Sequence, residues 1–261
     1  GRKWFTSSAD GASVCIVMAI TNPEAEKPHH RASMIVVPTD TPGFKLERNI
    51  SIMGHAGSGW LSHAEVTLTD VRVPVDHLLG NEGEGFLLAQ QRLGPGRIHH
   101  CMRSIGQAEK ALDLMIDRGL NRIAFGKKIV DLGKNMETIS RAKIEIESMR
   151  LLVLKAAKAM DVLGNKEARI WVSMIKAKVP EQVCDIIDQA MQVHGATGIS
   201  QWSPLSGMYA QQRTLRYADG PDEVHHHVIA RNEVQTYKDS NSRQDAIAGD
   251  TQARGSGGFM G

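Results

Sequence analysis

Short apolar runs near the start of the chain have the pattern of β-strands. Positions 14–20 and 32–37 are rich in β-branched residues and are separated by a polar, proline-containing loop, which is typical of neighbouring strands. Apolar and polar residues then alternate over 64–74, and a period of two predicts a strand with one buried face. The alternation is carried by Ala64, Val66, Leu68, Val71 and Val73, and it ends at Pro74.

The pattern changes after Gly85, where apolar positions recur every three or four residues. This period indicates amphipathic helices, and the first of them is predicted over 97 to about 118. A longer stripe alternates steps of three and four over three heptads, which predicts the buried seam of an antiparallel bundle. The seam consists of Ile139, Ala142, Ile146, Met149, Val153, Ala156, Met160 and Leu163.

A stop signal separates the seam helix from the next helix. Gly164 and Asn165 predict a break, and a further helical segment runs to His194 with an expected kink at Pro180. A coiled-coil dimer would produce the same seam. Short connections favour antiparallel neighbours within one chain, so we expect a bundle.

The last predicted helix is short and is followed by a polar tail. It begins near Pro221 and passes Ile229, with Asp222 and Glu223 in its positive first turn. Residues 239–261 have little apolar content and no period, which predicts disorder.

The predicted fold class is α+β. A partial β-barrel or sandwich domain is expected at 1–82, followed by an antiparallel four-helix bundle at 83–238 and the disordered tail. Because Gly1 directly precedes a folded-looking stretch, we interpret the chain as a fragment whose first strands are missing.

Charge and composition limit the classes of partner. With 31 Lys and Arg against 29 Asp and Glu, the formal net charge of +2 is too small to bind nucleic acid by bulk charge. Any anionic ligand must be bound by local charges. No apolar run approaches the roughly 18 residues of a membrane span, so no integral membrane segment is expected.

Cysteine and histidine spacing gives no metal site. Cys15, Cys101 and Cys184 are far apart and form no close pair, so three reduced thiols are expected. The consecutive residues 225–227 point about 100° apart on a helix and cannot converge on one ion. We expect them on a solvated or half-buried face, and the pair at 99–100 is interpreted in the same way.

Four separated strings resemble the acyl-CoA dehydrogenase family in their order and spacing. They lie at 3–6 (KWFT), 69–86 (TDVRVPVDHLLGNEGEGF), 122–126 (RIAFG) and 192–198 (QVHGATG), followed by Asp219 and Gly220. The strings at 93–106 and 216–231 are most similar to the branch called acyl-CoA dehydrogenase family members 10 and 11.

The resemblance implies a middle β-barrel followed by a C-terminal four-helix bundle, in a homodimer or dimer of dimers that binds FAD. It also implies that an N-terminal helical domain and the start of the barrel are absent. Trp4 and Thr6 match the family's Trp-x-Thr, in which the Trp flanks the flavin ring and the Thr bonds near its reactive N5. Without the resemblance, a core Trp at a strand end is the simpler interpretation.

The resemblance assigns further residues to FAD. Arg122 and Phe125 match the segment that reaches the FAD of the neighbouring subunit, whereas an Arg there would otherwise cap a helix end. Gln192 and Gly195 match the loop that receives the FAD pyrophosphate. Glu223 is the last residue expected at the cofactor.

The resemblance also implies the reaction and its base. A carboxylate removes the α-proton of an acyl-CoA thioester while hydride leaves the β-carbon for flavin N5. The family usually has Glu before Gly-Thr, but here Asp219 precedes Gly220 and Pro221, a pattern that by default starts a helix. Some members carry the base just before an Arg on the first long bundle helix, and that position is Gly96 here. Asp219 is therefore the remaining candidate.

Substrate and partner follow from the same resemblance. Arg97, Arg231 and Gly220 match positions near the acyl-CoA, and electrons would pass to electron-transfer flavoprotein. The alternatives are a flavin oxidase that gives electrons to oxygen and a catalytically silent, dimerising bundle. The resemblance implies a mitochondrial or peroxisomal location in a eukaryote and a cytoplasmic one in a bacterium.

Overall fold

The structure is a computed structural model that describes residues 1–255, with side chains described as far as Ser240. The chain divides into two compact units, Gly1–Leu93 and Gly94–Gly261. The order of elements predicted from the sequence is confirmed: small sheets come first and a helical bundle follows.

The first unit contains two antiparallel three-stranded sheets. Its strands are β1 (Arg2–Ser7), β2 (Val14–Ile20), β3 (Ala32–Pro38), β4 (Phe44–Asn49), β5 (His63–Leu68) and β6 (Leu78–Leu79). One sheet has the order β1-β5-β4 and the other β2-β3-β6. The runs at 14–20, 32–37 and 64–68 are therefore strands, as the sequence predicts.

The core of this unit forms where alternate residues of β5 point inward. Ala64 and Val66 are buried together with Ala9, and Phe44 and Leu46 of β4 pack against them. The expected continuation through 71–74 is wrong, since no strand is present there. Asp70 has φ of 51°, a left-handed conformation that ends the extended backbone of β5.

The second unit is helical. Its elements are α1 (Gly85–Asn121, which begins in the first unit), β7 (Ile123–Ala124), β8 (Lys127–Lys128), α2 (Asn135–His194), α3 (Ala196–Ile199), α4 (Leu205–Thr214) and α5 (Asp222–Gly255). Helix α2 consists of two arms that meet at Gly164, where φ is 80° and ψ is 171°. Glycine reaches this conformation without a steric penalty, so the predicted break is confirmed.

The long helices run antiparallel around one apolar core. The ion pair of Lys178 with Glu145 joins the two arms of α2 at 2.8 Å, and Glu109 of α1 pairs with Arg150. The predicted seam is buried from Ala142 to Ala156 and becomes exposed at Leu163, close to the turn. The core that the helices share includes Ile105, Met115, Ile146, Met149, Val153, Ile175, Val179, Val183 and Ile187.

Several boundaries differ from the sequence predictions. Helix α1 begins at Gly85 and includes Pro95, whereas the stripe predicts a start at 97. Pro180 keeps helical dihedrals, and both Pro180 and Val179 before it are buried. The backbone of α5 is helical to Gly255, where the sequence predicts the end of a short helix and then disorder. Residues 256–261 of the predicted tail lie outside the described residues.

Candidate functional site

The turn between α4 and α5 carries the candidate base. Asp219 and Gly220 adopt successive left-handed conformations, with φ of 58° and 107°. Aspartate tolerates this region better than most residues, and glycine has no penalty there. Pro221 then begins α5, because its carbonyl accepts the first helical bonds from Val224 and His225. The sequence Asp-Gly-Pro thus produces a sharp turn directly before α5.

Two residues of α1 reach this turn from one side. The His100 Nε2 atom lies 3.3 Å from Asp219 Oδ2, and the two side chains are 23% and 20% exposed. One turn earlier, Arg97 donates from Nε to the backbone carbonyl oxygen of Asp219 at 2.9 Å. Residues three apart lie on the same face of a helix, so α1 holds both the carboxylate and the backbone of Asp219.

Two buried groups hold the turn from the other side. Lys176 of α2 is fully buried, and its Nζ donates to the carbonyl oxygens of Leu215 at 2.5 Å and Gly220 at 3.1 Å. His225 of α5 places Nε2 at 3.4 Å from the carbonyl oxygen of Asp219. A Cβ at Gly220 would lie 3.0 Å from this nitrogen, so the turn and the imidazole are in close contact.

Burial controls the ionisation of the surrounding groups. It lowers the pKa of Lys176 and of Arg97, and for both residues the negative charge of Asp219 opposes the change. The pKa of His225 is lowered to about 4 by burial first and then by the charges of Lys176 and Arg97. At neutral pH the imidazole of His225 is therefore uncharged.

The start of α5 is fixed by a separate ion-pair network. Arg216 donates to Asp222 at 2.6 Å and to Glu181 at 3.1 Å, and the bond to Asp222 is the main reason that the pKa of Arg216 is raised. Glu223 is exposed in the first turn of α5, and Arg231 is exposed on the same helix. Of the three predicted substrate residues, Arg97 and Gly220 lie at Asp219. Arg231 lies further along α5.

Arg122 and Phe125 belong to a small hairpin. Strands β7 and β8 are joined by Phe125 and Gly126, with φ of 53° and 75°, the pair of left-handed residues that a tight hairpin turn requires. The Phe125 side chain is 96% exposed. Arg122 lies after the end of α1, exposed, and its carbonyl accepts a bond from Ile129 at 2.9 Å.

Gln192 and Gly195 lie at the C-terminal end of α2. Gly195 has φ of 63° and ψ of −143°, and its N–H donates to the carbonyl oxygen of Gln192 at 3.1 Å. Both residues are exposed. A Cβ at Gly195 would meet nothing within 4 Å. The φ and ψ of Gly195 are strained for any residue other than glycine. The empty space beside this backbone is open to a ligand.

Trp4 and Thr6 lie on β1, where the strand is irregular. The register against β5 shifts between Lys3 and Thr6, and Phe5 between them has φ of 59°. The rings of Trp4 and Phe5 stack with centroids 5.6 Å apart. Trp4 is 63% exposed, so it is not the core tryptophan that the sequence alone favours. Thr6 is half-buried.

These exposed residues offer what FAD requires. Trp4 and Phe125 present aromatic faces that can stack on a planar ring, and the open backbone at Gly195 permits a close approach by phosphate. Arg122 supplies a positive charge. The residues therefore fit the cofactor that the resemblance implies.

The sequence interpretation missed three residues around Asp219. His100 is half-buried, as expected, but its contact with Asp219 was not predicted. His225, expected on a solvated or half-buried face, is 3% exposed, while His226 and His227 are exposed. The sequence interpretation did not use Lys176, although this lysine continues the apolar stripe of Val172, Val179 and Val183. Within residues 1–240 no cluster of His, Cys, Asp or Glu could hold a metal ion.

Comparisons with known proteins define the class. The family model described as acyl-CoA dehydrogenase, C-terminal domain matches residues 83–234, and the model of the middle domain matches 1–71. The chain therefore belongs to the acyl-CoA dehydrogenase family.

Individual relatives support the branch that the sequence resembles. The chain is 49% identical over 240 residues to FadE2 of Mycobacterium tuberculosis, named a probable acyl-CoA dehydrogenase. The matched region is 91% of this chain and 58% of that protein. It is 48% identical over 237 residues to acyl-CoA dehydrogenase family member 11 of Rattus norvegicus, and the matched region is 90% of this chain and 30% of that protein. A solved structure from Mycobacterium abscessus, assigned to the acyl-CoA dehydrogenases, has a TM-score of 0.87 to this chain at 46% identity. The match covers 91% of this chain and 58% of that one.

The chain thus spans only part of the relatives that it matches. None of its described helices is long and apolar enough to cross a membrane.

Proposed function

We propose that the protein containing this chain is an FAD-dependent dehydrogenase that introduces a double bond between the α- and β-carbons of a fatty acyl-CoA. One observation carries the proposal. The half-buried carboxylate of Asp219 contacts His100, and Arg97 and Lys176 bind the backbone carbonyl oxygens of its turn. The alternative base position is Gly96, which has no side chain.

Asp219 accepts the α-proton in this proposal. Arg97 and Lys176 bind the carbonyl oxygens of Asp219 and Gly220, and His100 lies against Oδ2 of Asp219. A general base must be placed within hydrogen-bond reach of the proton that it removes, and a turn bound at several atoms meets this requirement. When bound, FAD would accept the hydride from the β-carbon.

Binding is assigned to exposed and half-buried residues. Arg97 and Arg231 supply local positive charge for the phosphates of CoA, which the net charge of +2 cannot supply. Trp4, Thr6 and Glu223 are assigned to FAD. Arg122, Phe125, Gln192 and Gly195 would reach the FAD of a second subunit, which makes the functional unit a homodimer or a dimer of dimers.

The test is flavin reduction by the full-length, FAD-loaded protein in anaerobic stopped flow. Asp219→Asn keeps the size of the side chain and its tolerance of the left-handed conformation but removes the proton acceptor. Acyl-CoA should still bind, and bleaching of the flavin should slow by about 10²–10⁴-fold. The exposed Asp161→Asn on α2 is the matched control and should reduce its flavin normally.

Two results would count against the proposal. If Asp219→Asn bleaches as fast as wild type, the base lies elsewhere. If no fatty acyl-CoA bleaches the wild type, the chain belongs to a catalytically silent protein. Reoxidation by electron-transfer flavoprotein, compared with reoxidation by oxygen alone, distinguishes the proposed dehydrogenase from an oxidase.

A further inference from the structure

Lys176 is a fully buried lysine beside the apolar core of the bundle. It is 0% exposed, and its neighbours Ile175, Ala177 and Val179 on α2 are buried as well. Lysine is almost never fully buried unless its ammonium is paired, because removing that charge from water is costly. A hydrophobic residue of similar length would avoid this cost, so the contacts of the ammonium group must explain its presence.

Those contacts lie at the two ends of the Asp219 turn. Nζ donates to the carbonyl oxygen of Leu215, which is the C-cap of α4, and to the carbonyl oxygen of Gly220. The end of a helix carries partial negative charge, so an ammonium group is favourable there. One side chain therefore fixes the residue where the turn begins and the residue that follows Asp219.

The turn needs such a restraint. Asp219 and Gly220 are both left-handed, and a non-glycine residue in this region is strained and persists only where its surroundings hold it in place. Arg97 holds the carbonyl of Asp219 from the half-buried side. The fully buried side chain of Lys176 holds the next carbonyl, that of Gly220.

We infer that Lys176 is a positioning residue for the reaction: its buried ammonium fixes the 215–220 turn so that the carboxylate of Asp219 is held where it can take the α-proton. This inference rests on the proposed role of Asp219 as the base. A displacement of about 1 Å at a reacting group can lower the rate about 100-fold. Loss of Lys176 should therefore affect the chemical step more than substrate binding.

The test uses the full-length, FAD-loaded protein with Lys176→Met. Methionine fills a similar unbranched space but donates no hydrogen bond. Hydrogen exchange of the 215–222 backbone should become faster, while the seam helix keeps its protection. Flavin reduction at saturating acyl-CoA should slow by about 100-fold, with the acyl-CoA Kd little changed. Lys178→Met, which removes a half-exposed lysine of the same helix, should change neither measurement.

Lys176→Gln separates positioning from general stability. Its amide can still donate to one carbonyl, so flavin reduction should recover part of the loss seen with methionine. If exchange becomes faster throughout the bundle in both variants, and the rate follows only the folded fraction, Lys176 is a structural residue and the inference is wrong.

Failure of this inference can be distinguished from failure of the proposed function. Normal bleaching in wild type and in Lys176→Met alike, with an unchanged turn, overturns the positioning role and leaves Asp219 as the base. Absence of bleaching in the wild type overturns the proposed function, and unchanged exchange at 215–222 would then overturn the restraint as well.

Discussion

Arg97 and Asp219 are 122 positions apart in the sequence and are joined by a 2.9 Å hydrogen bond from the guanidinium Nε to the backbone carbonyl oxygen. This bond is made to the backbone of Asp219, and the carboxylate of Asp219 contacts His100. A direct carboxylate–guanidinium pair would hold the acid ionised but would compete with a substrate proton for its oxygens. The observed arrangement fixes the backbone and places positive charge nearby.

Gly220→Ala should destabilise the second unit. The φ of 107° is strained for alanine, and the new Cβ would lie 3.0 Å from His225 Nε2. We expect the free energy of unfolding to fall by about 1–3 kcal/mol in denaturant titrations. Gly207→Ala is the control, because this glycine lies in α4 with nothing within 4 Å, and alanine should stabilise the helix by about 1 kcal/mol or less. Equal effects of the two changes would contradict the description of the turn.

His225 should make the fold sensitive to acid. Its pKa is lowered from 6.5 to about 4, so between these values the unfolded chain binds a proton that the folded chain does not. This contribution to stability is complete above pH 6.5 and is lost as the pH falls toward 4, by at most about 3 kcal/mol. Denaturant titrations from neutral pH to pH 4 should show a smaller fall for His225→Leu than for wild type.

The control for that measurement is His226→Leu, since His226 is exposed on the same helix. Its stability should fall with pH as steeply as that of the wild type. Parallel curves for His225→Leu and wild type would show that the buried imidazole does not titrate in this range.

Arg122→Ala should lower FAD occupancy of the full-length protein without unfolding the bundle. Arg122 is exposed after the end of α1 and packs into no core, so thermal melting of the bundle should be unchanged. The flavin-to-protein absorbance ratio and size-exclusion chromatography are the two measurements. Lys128→Ala removes an exposed charge from the same hairpin and is the control. Undiminished flavin in Arg122→Ala would remove this residue from the cofactor site.

Ile146→Asp should unfold the bundle. Ile146 is fully buried in the seam, and an unpaired charge there costs several kcal/mol. Ser148→Asp adds the same charge at an exposed position two residues further along α2 and should melt like wild type. Circular dichroism melting curves decide the matter. A cooperative transition of Ile146→Asp at the wild-type temperature would refute the burial of the seam.

Periodicity predicts the bundle well because it records burial directly. Ile146 and Met149 are buried as their spacing requires, and the break at Gly164 follows from a residue type that can adopt φ of 80°. Periodicity of side chains does not detect a turn of the backbone. For this reason it predicted a strand through Val71 that the structure does not contain. Backbone geometry at Asp70 ends the strand, although the side-chain alternation continues.

The candidate site is only partly predictable from the sequence. Asp219 is found through its string, but His100 and Lys176 are its neighbours through folding, from positions 119 and 43 residues away. Lys176 carried one usable signal, a charge on the apolar stripe of its helix. His100 carried none, because its partner is defined by the packing of α1 and not by any local pattern.

The glycine turn inside α2 has a consequence for the order of folding. It makes Glu145 and Lys178 neighbours across 33 positions, whereas the contact of Arg97 with Asp219 must close a loop of 122. Loop closure costs more entropy as its length grows, and contacts between near positions form more readily than distant ones. We expect the two arms of α2 to pair early and the Asp219 turn to dock late. Under mild stress the turn should then open before the helical hairpin, so catalytic competence would be lost while most of the helix content remains.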